Sequence, residues 1–369
     1  MPEKNNFVQG LLEITDKQHG FLRNLSYNYR AVPADPFISR EMIHDFALRN
    51  GLVITARTNG KKGPSPHVRE ILTINDQSSD DYLELPSFDD FTVIDPNQMI
   101  RLETGPEPLG PRVIDLLTPI GKGQRGLIVA PPRTGKTILL QQIAHGVTTN
   151  HPEIHLMVLL IDERPEEVTD MRRKIHGEVV ASCNDKDIIS HVRTARLALD
   201  RVKRLVEFGK DVVVLLDSIT RLGRAFNNWT RSSGRTMSGG LDIRALQLPK
   251  QIFGAARKAE NGGSLTILAT ALIDTGSRMD EIIFQEFKGI GNMELVLDRQ
   301  LANRRIWPAI DISQSGTRKE ELLIEKNNLE KIYRLRRRLD SLAAGQDLET
   351  LIKAVKKHPS NHDFLNELP

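Results

Sequence analysis

The residues with the clearest chemistry form a loop between an apolar run and a helical run, Ala130-Pro-Pro-Arg-Thr-Gly-Lys-Thr137. A nucleoside triphosphate needs converging backbone N–H groups, a flexible cation and a hydroxyl beside magnesium. Gly135 permits close backbone approach, Lys136 can reach the terminal phosphates, and Thr137 can place its hydroxyl on the metal. This pattern predicts a site for ATP and Mg²⁺. The residues expected to contact the nucleotide are Pro132, Arg133, Thr134, Gly135, Lys136, Thr137 and Ile138.

Two further apolar runs end in carboxylates that would complete a hydrolysis site. Glu163, just before Pro165, is the candidate general base, because hydrolysis needs a carboxylate to orient and deprotonate a water. Asp217 ends the second run and is the candidate partner of Thr137 on the metal. Two simpler readings stay open. In the first, Asp162 and Glu163 do no more than interact favourably with a helix dipole. In the second, Asp217 and Ser218 do no more than cap a helix.

An alternation of apolar strands and helical stretches has to position these groups. It predicts a mainly parallel sheet covered by helices on both faces. The candidate strands are Gly126–Ala130, Leu156–Ile161, Val212–Leu216 and Leu265–Ile273. A helix follows the loop at Ile138–His145. A second helix is predicted from an apolar stripe at spacings of four and three. The stripe consists of Ile188, Val192, Ala195, Leu199, Val202 and Val206.

The first part of the chain has a different pattern, with short strand-like runs separated by Gly, Pro and Asn. Five such runs within roughly 65 residues fit a small barrel of the oligonucleotide-binding (OB) type. The runs are Leu11–Thr15, Gly20–Leu22, Pro36–Ser39, Leu52–Ala56 and Val68–Ile74. From Asp76 to Ile100 there are seven acidic residues and no Lys or Arg, which is typical of a solvated linker. We therefore predict a barrel domain over 1–76, a linker over 77–112 and an α/β domain over 113–369.

Composition excludes several classes of protein. A chain of 369 residues that is 39% apolar can form two compact domains. No apolar run is long enough to span a bilayer and no secretory leader is visible, so we expect a soluble, cytoplasmic protein with no membrane partner. The single cysteine, Cys183, is expected to be a reduced core filler. Eleven basic against six acidic residues between Asp298 and Arg338 indicate either an interaction surface or a solvated helix face.

Over nearly its whole length the chain resembles the Rho family of bacterial transcription termination factors. The resemblance implies a homohexameric ring that hydrolyses ATP in response to RNA and moves 5′ to 3′ on single-stranded RNA. It also implies a RecA-type motor, nucleotide held between subunits, and RNA polymerase as a partner. Ala130 in place of glycine is how loops of this family read. The motifs that carry the resemblance are Gly123–Pro132, Val158–Val168, Leu215–Arg221, Ala269–Gly276 and Ser315–Leu322.

The resemblance also implies roles for residues outside the loop. Arg318 looks like an arginine finger that supplies positive charge to the ATP of a neighbouring subunit. Trp307 stands where the family stacks an aromatic on adenine. Arg164, Arg221 and Arg305 match charged positions around the phosphate or the coupling interface.

RNA contacts are implied at two places. Phe21, Arg23 and Phe37 match the loading surface of the barrel, although His19 stands where the family has an aromatic. From residues alone, Phe21 could equally be a barrel core residue. Two loops that would line the central channel contain, or are followed by, the candidate contacts Arg235, Arg278 and Lys288. Without the resemblance both would be read as plain surface loops.

The predicted fold is thus a RecA-type α/β P-loop ATPase domain preceded by a small all-β, OB-fold or cold-shock-like barrel that binds RNA. The predicted function is an RNA-dependent ATPase, translocase and helicase that terminates transcription by acting on nascent RNA. One alternative is a related hexameric P-loop motor acting on DNA or another polymer, which gives no reason for a barrel with Phe21 and Arg23. The other is a non-catalytic RNA-binding protein, which the joint presence of Lys136, Glu163 and Arg318 opposes.

Overall fold

The structure is a computed structural model that describes residues 6–59, 65–230, 238–242, 244–343 and 345–368. Five antiparallel strands form its first sheet, in the order β3-β2-β1-β4-β5. A bridge between Phe37 and His67 joins the two edge strands, so the sheet closes on itself. The predicted OB-type barrel is therefore confirmed. Its elements are β1 (Asn6–Ile14), β2 (Gly20–Arg23), β3 (Phe37–Ile38), α1 (Arg40–Asp45), β4 (Val53–Thr58) and β5 (Val68–Ile74).

Alternation along β1 explains how the barrel packs on the second domain. Successive side chains of a strand point to opposite faces. Leu12 is fully buried inside the barrel with Leu22 and Ile54, whereas its neighbour Leu11 is fully buried in the core of the motor domain. One strand thus serves two cores.

The segment predicted as a solvated linker is partly folded into the molecule, so that reading is wrong. Tyr82 and Phe88 are buried, at 3% and 0% exposure. Charge counting missed them because acidic residues outnumber aromatic ones in this segment, although the two aromatic side chains point into the molecule. The elements here are α2 (Ser79–Leu83), β6 (Val93–Ile94), which joins the second sheet, and α3 (Leu109–Leu117).

The second sheet is mainly parallel, with helices on both faces, as predicted. Its strands are β7 (Arg125–Ala130), β8 (His155–Glu163), β9 (Glu178–Cys183), β10 (Asp211–Asp217), β11 (Arg257–Ala259), β12 (Ser264–Leu272), β13 (Met293–Val296) and β14 (Gly316–Thr317). The order is β14-β13-β7-β12-β10-β8-β9, with β11 on β12 and β6 on β11. β6, β11 and β14 join the sheet through antiparallel pairing. The helices are α4 (Lys136–Asn150), α5 (Pro165–Lys174), α6 (Ile188–Glu207), α7 (Ile219–Trp229), α8 (Gln247–Gly254), α9 (Arg278–Lys288), α10 (Arg299–Asn303), α11 (Lys326–Asp340), α12 (Gln346–Val355) and α13 (Asn361–Glu367).

All four predicted strands of this sheet are present, and the helix after the loop is longer than predicted at both ends. The apolar stripe on α6 is confirmed except at Ile188, which begins the helix and is 37% exposed. The short strands β9 and β13 were missed. β13 has only four residues, fewer than a periodicity argument needs.

Ion pairs hold the barrel against the motor domain. Arg193 on α6 donates two hydrogen bonds to Glu13 on β1, at 2.5 and 2.6 Å. Arg49 forms a bidentate pair with the buried Glu207, at 3.1 and 2.9 Å. Bidentate pairs restrict orientation as well as distance, so the two domains are positioned relative to each other.

Candidate functional site

The loop between β7 and α4 has the geometry of a phosphate cradle. Thr134 Oγ1 donates to the carbonyl oxygen of Pro131 at 2.7 Å and closes the loop. Gly135 has φ 80°, and a Cβ there would lie 2.7 Å from the Trp307 ring, so only glycine fits. α4 then begins at Lys136, and the N–H groups of its first turn have no helical acceptor. The loop thus offers backbone donors and a helix dipole to an anion.

Lys136 brings the three predicted chemical groups together. Its Nζ lies 2.5 Å from Asp217 Oδ1 and 3.7 Å from Glu163 Oε1. Both carboxylates are buried, with 1% of Asp217 and 3% of Glu163 exposed. The carboxyl ends of β7, β8 and β10 therefore meet under the loop, as expected where ligands bind in open α/β sheets.

Glu163 has the protonation behaviour of a general base. Burial raises its pKa, the neighbouring Asp217 raises it further, and Lys136 and Arg221 lower it; the result is a pKa of about 7. Arg221 Nε lies 3.0 Å from Glu163 Oε1 but is not aligned for a hydrogen bond, and that oxygen has no hydrogen-bond partner in the described part of the chain. A buried acceptor with a pKa near neutrality is suited to taking a proton from water.

The residues present fit a magnesium-bound triphosphate. Asp217 Oδ1 accepts a hydrogen bond from Thr270 Oγ1 at 2.7 Å, which orients the carboxylate. The residue that caps α7 is Ser218, whose hydroxyl accepts a hydrogen bond from the Arg221 N–H. Since Asp217 is not the cap, its carboxylate is free to interact with other groups. Within the described residues, no cluster of three His, Cys, Asp or Glu could hold a metal by itself. Magnesium is commonly held by one or two protein oxygens together with phosphates and water.

A cavity of about 380 Å³ opens beside the loop and can take a base. Trp307 forms part of its wall, is 42% exposed and packs against Gly135. A volume near 400 Å³ is within the range of small-ligand pockets. Trp307 therefore lines a cavity beside the loop, and its role in stacking on adenine stays a prediction. Other lining residues are Thr134, Ile138, Leu139, Leu297 and Ala309.

Arg318 lies at the amino ends of the parallel strands, whereas the loop lies at their carboxyl ends. Its N–H donates to Asn292 O, and Asn292 N–H donates to Arg125 O, which places Arg318 level with the start of β7. The loop begins after Ala130, at the other end of that strand. Five residues of strand span about 17 Å, more than an extended arginine side chain can reach. Arg318 is exposed and cannot serve the nucleotide of its own subunit.

The other predicted arginines divide into two groups. Arg221 faces Glu163 and also lies 3.4 Å from Asp162, inside the site. Arg164 is the exposed N-cap of α5, and Arg305 is exposed with φ 61°. Within the part of the chain that the structure describes, neither side chain forms a hydrogen bond or a salt bridge. Roles for both at an interface between subunits stay a prediction.

Four rings gather on the outer surface of the barrel. Phe21 and Phe37 are only partly buried, and their ring centroids lie 5.8 Å apart. His19 lies 5.5 Å from Phe21 and 5.3 Å from Phe37, and His67 lies 4.8 Å from Phe37. Phe21 is not part of the barrel core. His67 was not among the predicted contacts; the bridge to Phe37 brings it into the cluster.

The side chain of Arg23, which was predicted to contact RNA, is buried and paired with two carboxylates. It is 7% exposed and bonds to Glu13 at 2.5 Å and to Asp35 at 2.6 Å. Its guanidinium lies 4.8 Å from the centroid of Phe21. In this arrangement Arg23 supports the Phe21 ring, and direct contact with RNA stays a prediction.

The channel contacts are only partly described. Arg235 lies outside the described residues. Arg278 is exposed and begins α9, directly after a turn in which Gly276 has φ 74°. Lys288 ends the same helix, exposed, with Nζ 3.8 Å from Glu294. The two ends of one helix thus carry one cation each.

Comparison with known proteins assigns both domains. Residues 8–80 match the model of the Rho termination factor RNA-binding domain, and residues 110–317 match the nucleotide-binding domain of the ATP synthase alpha/beta family. The chain is 50% identical, over 367 residues, to a transcription termination factor Rho of Cereibacter sphaeroides, which covers 97% of the chain and 86% of that protein. This chain belongs to the Rho family.

Other relatives and solved structures agree with this assignment. The chain is 50% identical to Rho of Micrococcus luteus and 49% identical to Rho of Mycobacterium tuberculosis, over 97% of its own length. It spans 53% and 60% of those two proteins. A prototypical ATPase of a bacterial type III secretion system superposes with a TM-score of 0.63 at 22% identity, covering 85% of this chain and 93% of its own. At that identity the likeness concerns the fold.

These findings establish an ATP-binding ATPase domain joined to an RNA-binding domain. The structure contains no helix long and apolar enough to cross a membrane within the residues it describes. The RNA-binding match coincides with the barrel that carries the four rings, and the ATPase match coincides with the loop and its carboxylates.

Proposed function

We propose that this Rho-family chain is an RNA-dependent ATPase that moves 5′ to 3′ along single-stranded RNA and ends transcription by pulling on the nascent transcript. The observation that carries the proposal is the cluster of Lys136, Glu163 and Asp217 under the loop. The same chain has a barrel whose surface carries a cluster of aromatic side chains on which RNA bases could stack. A binding protein with a decayed nucleotide site would have no need for two buried carboxylates around one lysine.

The geometry supports a division of labour in hydrolysis. Lys136 now neutralises Asp217 and Glu163, and would turn to the terminal phosphates when ATP is bound. Glu163 would orient and deprotonate the attacking water. Thr137 and Asp217 would hold magnesium, which when bound neutralises charge on the phosphates. Freed from Lys136, Glu163 keeps Arg221 as its counter-ion.

A ring of subunits completes the site. Since Arg318 lies about 17 Å of strand away from its own loop, its charge is useful only to a nucleotide on a neighbouring chain. We therefore propose a homohexamer with Arg318 as the finger supplied between subunits. We also propose contact with RNA polymerase, because a nascent transcript is attached to that enzyme. We propose a cytoplasmic location, because bacterial transcription takes place in the cytoplasm.

ATP hydrolysis with and without nucleic acid tests the proposal. We expect little hydrolysis by the protein alone and a large stimulation by pyrimidine-rich single-stranded RNA, with much less by DNA of the same sequence. Lys136→Ala should abolish the stimulated rate. Stimulation by DNA but not RNA would refute the proposed substrate and favour a related ring motor on another polymer.

Mixing experiments test the role of Arg318. Arg318→Ala protein added to wild type should lower activity more steeply than simple dilution, because each variant subunit inactivates the site of its neighbour. Lys319→Ala, at the adjacent exposed position, is the matched control and should only dilute. A linear decrease with Arg318→Ala would contradict a finger acting between subunits.

A further inference from the structure

A tryptophan covered by an arginine lies on the surface of the motor domain, away from the nucleotide site. Trp229 is the last residue of α7 and is 43% exposed. The guanidinium carbon of Arg196, on α6, lies 4.7 Å from the centroid of a Trp229 ring. A single exposed aromatic needs no explanation by itself. Its position relative to the two RNA-binding regions is what makes it informative.

A chain of contacts joins this pair to the ring surface of the barrel. Arg193 lies one helical turn before Arg196 on α6 and donates to Glu13 at 2.5 and 2.6 Å. Glu13 also accepts from Arg23 at 2.5 Å, and Arg23 lies over Phe21. Residues three apart on a helix are neighbours on one face. Arg196 therefore lies next to the residue through which α6 anchors the barrel.

The same pair stands at the base of the loop in which a channel contact is predicted. α7 ends at Trp229, directly before residues 231–237, which the structure does not describe. The described part beyond them returns to α7: Asn227 Nδ2 donates to Gly240 O at 3.2 Å, and Asp242 N–H donates to Asn227 Oδ1 at 2.8 Å. Trp229 thus ends α7 next to Arg196, two residues after the Asn227 that holds the described part of the chain beyond that loop.

We propose that Trp229, backed by Arg196, stacks a base of single-stranded RNA on its way from the barrel to the channel. The inference rests on the proposed function and adds a contact to it. An indole takes any base, because every base has a π-face, and the arginine supplies a cation to the backbone. Arg196 is exposed, and its charge acts on Asp200, one turn further along α6, where it opposes the rise in pKa that burial causes. The alternative is that a neighbouring subunit, and not RNA, covers Trp229.

The first experiment measures the RNA concentration that gives half-maximal ATPase activity. Trp229→Ala should raise it about 5- to 150-fold, the range for loss of one stacked base, with the rate at saturating RNA retained. Trp229→Phe keeps a ring and should lose much less. Tyr333→Ala removes an aromatic of similar exposure (41%) on α11 and should behave as wild type. An unchanged half-maximal concentration for Trp229→Ala overturns the inference, whereas absence of stimulation in wild type overturns the proposed function instead.

The second experiment observes the indole directly. The chain has two tryptophans, so Trp307→Phe leaves Trp229 as the single reporter. Without nucleotide, saturating oligocytidine should quench its fluorescence, and an abasic oligomer of the same length should not. Equal responses, or none, overturn the inference. Analytical ultracentrifugation completes the test. If Trp229→Ala no longer assembled into hexamers, the indole would belong to a subunit interface, and the inference would be overturned as well.

Discussion

Replacing Arg221 by glutamine should move the pH dependence of hydrolysis rather than abolish it. Arg221 Nε lies 3.0 Å from Glu163 Oε1 and is one of two cations, with Lys136, that favour the charged form of Glu163. An opposite charge at such a distance lowers a carboxyl pKa by about 1–3 units. Removing this charge should therefore raise the pKa of Glu163 from about 7 to about 9.

The size of the effect follows from the ionised fraction of the base. At pH 7.5 a group with a pKa of about 7 is about 76% ionised, and one with a pKa of about 9 is about 3% ionised. The kcat/KM for ATP should therefore fall about 25-fold in Arg221→Gln at this pH. Since only the base form of Glu163 accepts a proton, activity rises with pH in both proteins, and the variant should recover as the pH approaches 9.5.

The pH dependence of kcat/KM for ATP at saturating RNA, measured from pH 6 to pH 10, reports the pKa of Glu163 in the nucleotide-free protein, the state to which the value of about 7 applies. Arg221→Lys keeps the charge and should keep the wild-type profile, whereas Glu163→Gln should stay slow at every pH. If Arg221→Gln remained slow at pH 9.5, Arg221 would act on phosphate or on another subunit and not through the pKa of Glu163. An unchanged rate at pH 7.5 would equally refute the electrostatic argument.

Three further changes test other parts of the molecule. Trp307→Ala should raise the KM for ATP about 10-fold or more with a smaller change in kcat, because the lost contact is made to the base and not to the phosphate; steady-state kinetics at saturating RNA would show an unchanged KM if the cavity beside Gly135 were not the base site. Phe37→Ala should weaken binding of oligocytidine about 5- to 150-fold in a filter-binding assay, and unchanged binding would mean that the rings are structural. Glu13→Gln should lower the free energy of unfolding in urea by less than the ~3–5 kcal/mol typical of a fully buried pair, because Asp35 still pairs with Arg23; no loss would contradict the role of Glu13 in holding the barrel on α6.

Local patterns identified the parts that have local causes. The loop up to Thr137 could be recognised because a glycine, a lysine and a hydroxyl must follow each other at fixed spacing to hold phosphate. The barrel strands could be recognised because turn residues separate short apolar runs. The strand β13 and the burial of Phe88 could not, since a four-residue strand and a single apolar residue among acids carry no periodic signal.

Several properties of the site depend on groups distant in sequence. Glu163 acquires a pKa of about 7 only because burial and Asp217 oppose Lys136 and Arg221, which come from different elements. His67 joins the ring surface only because β3 and β5 meet when the barrel closes. Arg23, predicted to face RNA, is instead held by Glu13 and Asp35.

The sequence by itself determined the chemistry available to this protein: a phosphate loop, two carboxylates at strand ends, an arginine-bearing motif and a barrel with aromatic residues. The tertiary structure decided which of these groups can act together. Order along β7 placed Arg318 at the end of the sheet away from its own loop, and packing of α6 on the barrel joined Arg193 to Glu13. Distances between residues far apart in the chain are set by sheet order and packing, which no local pattern encodes.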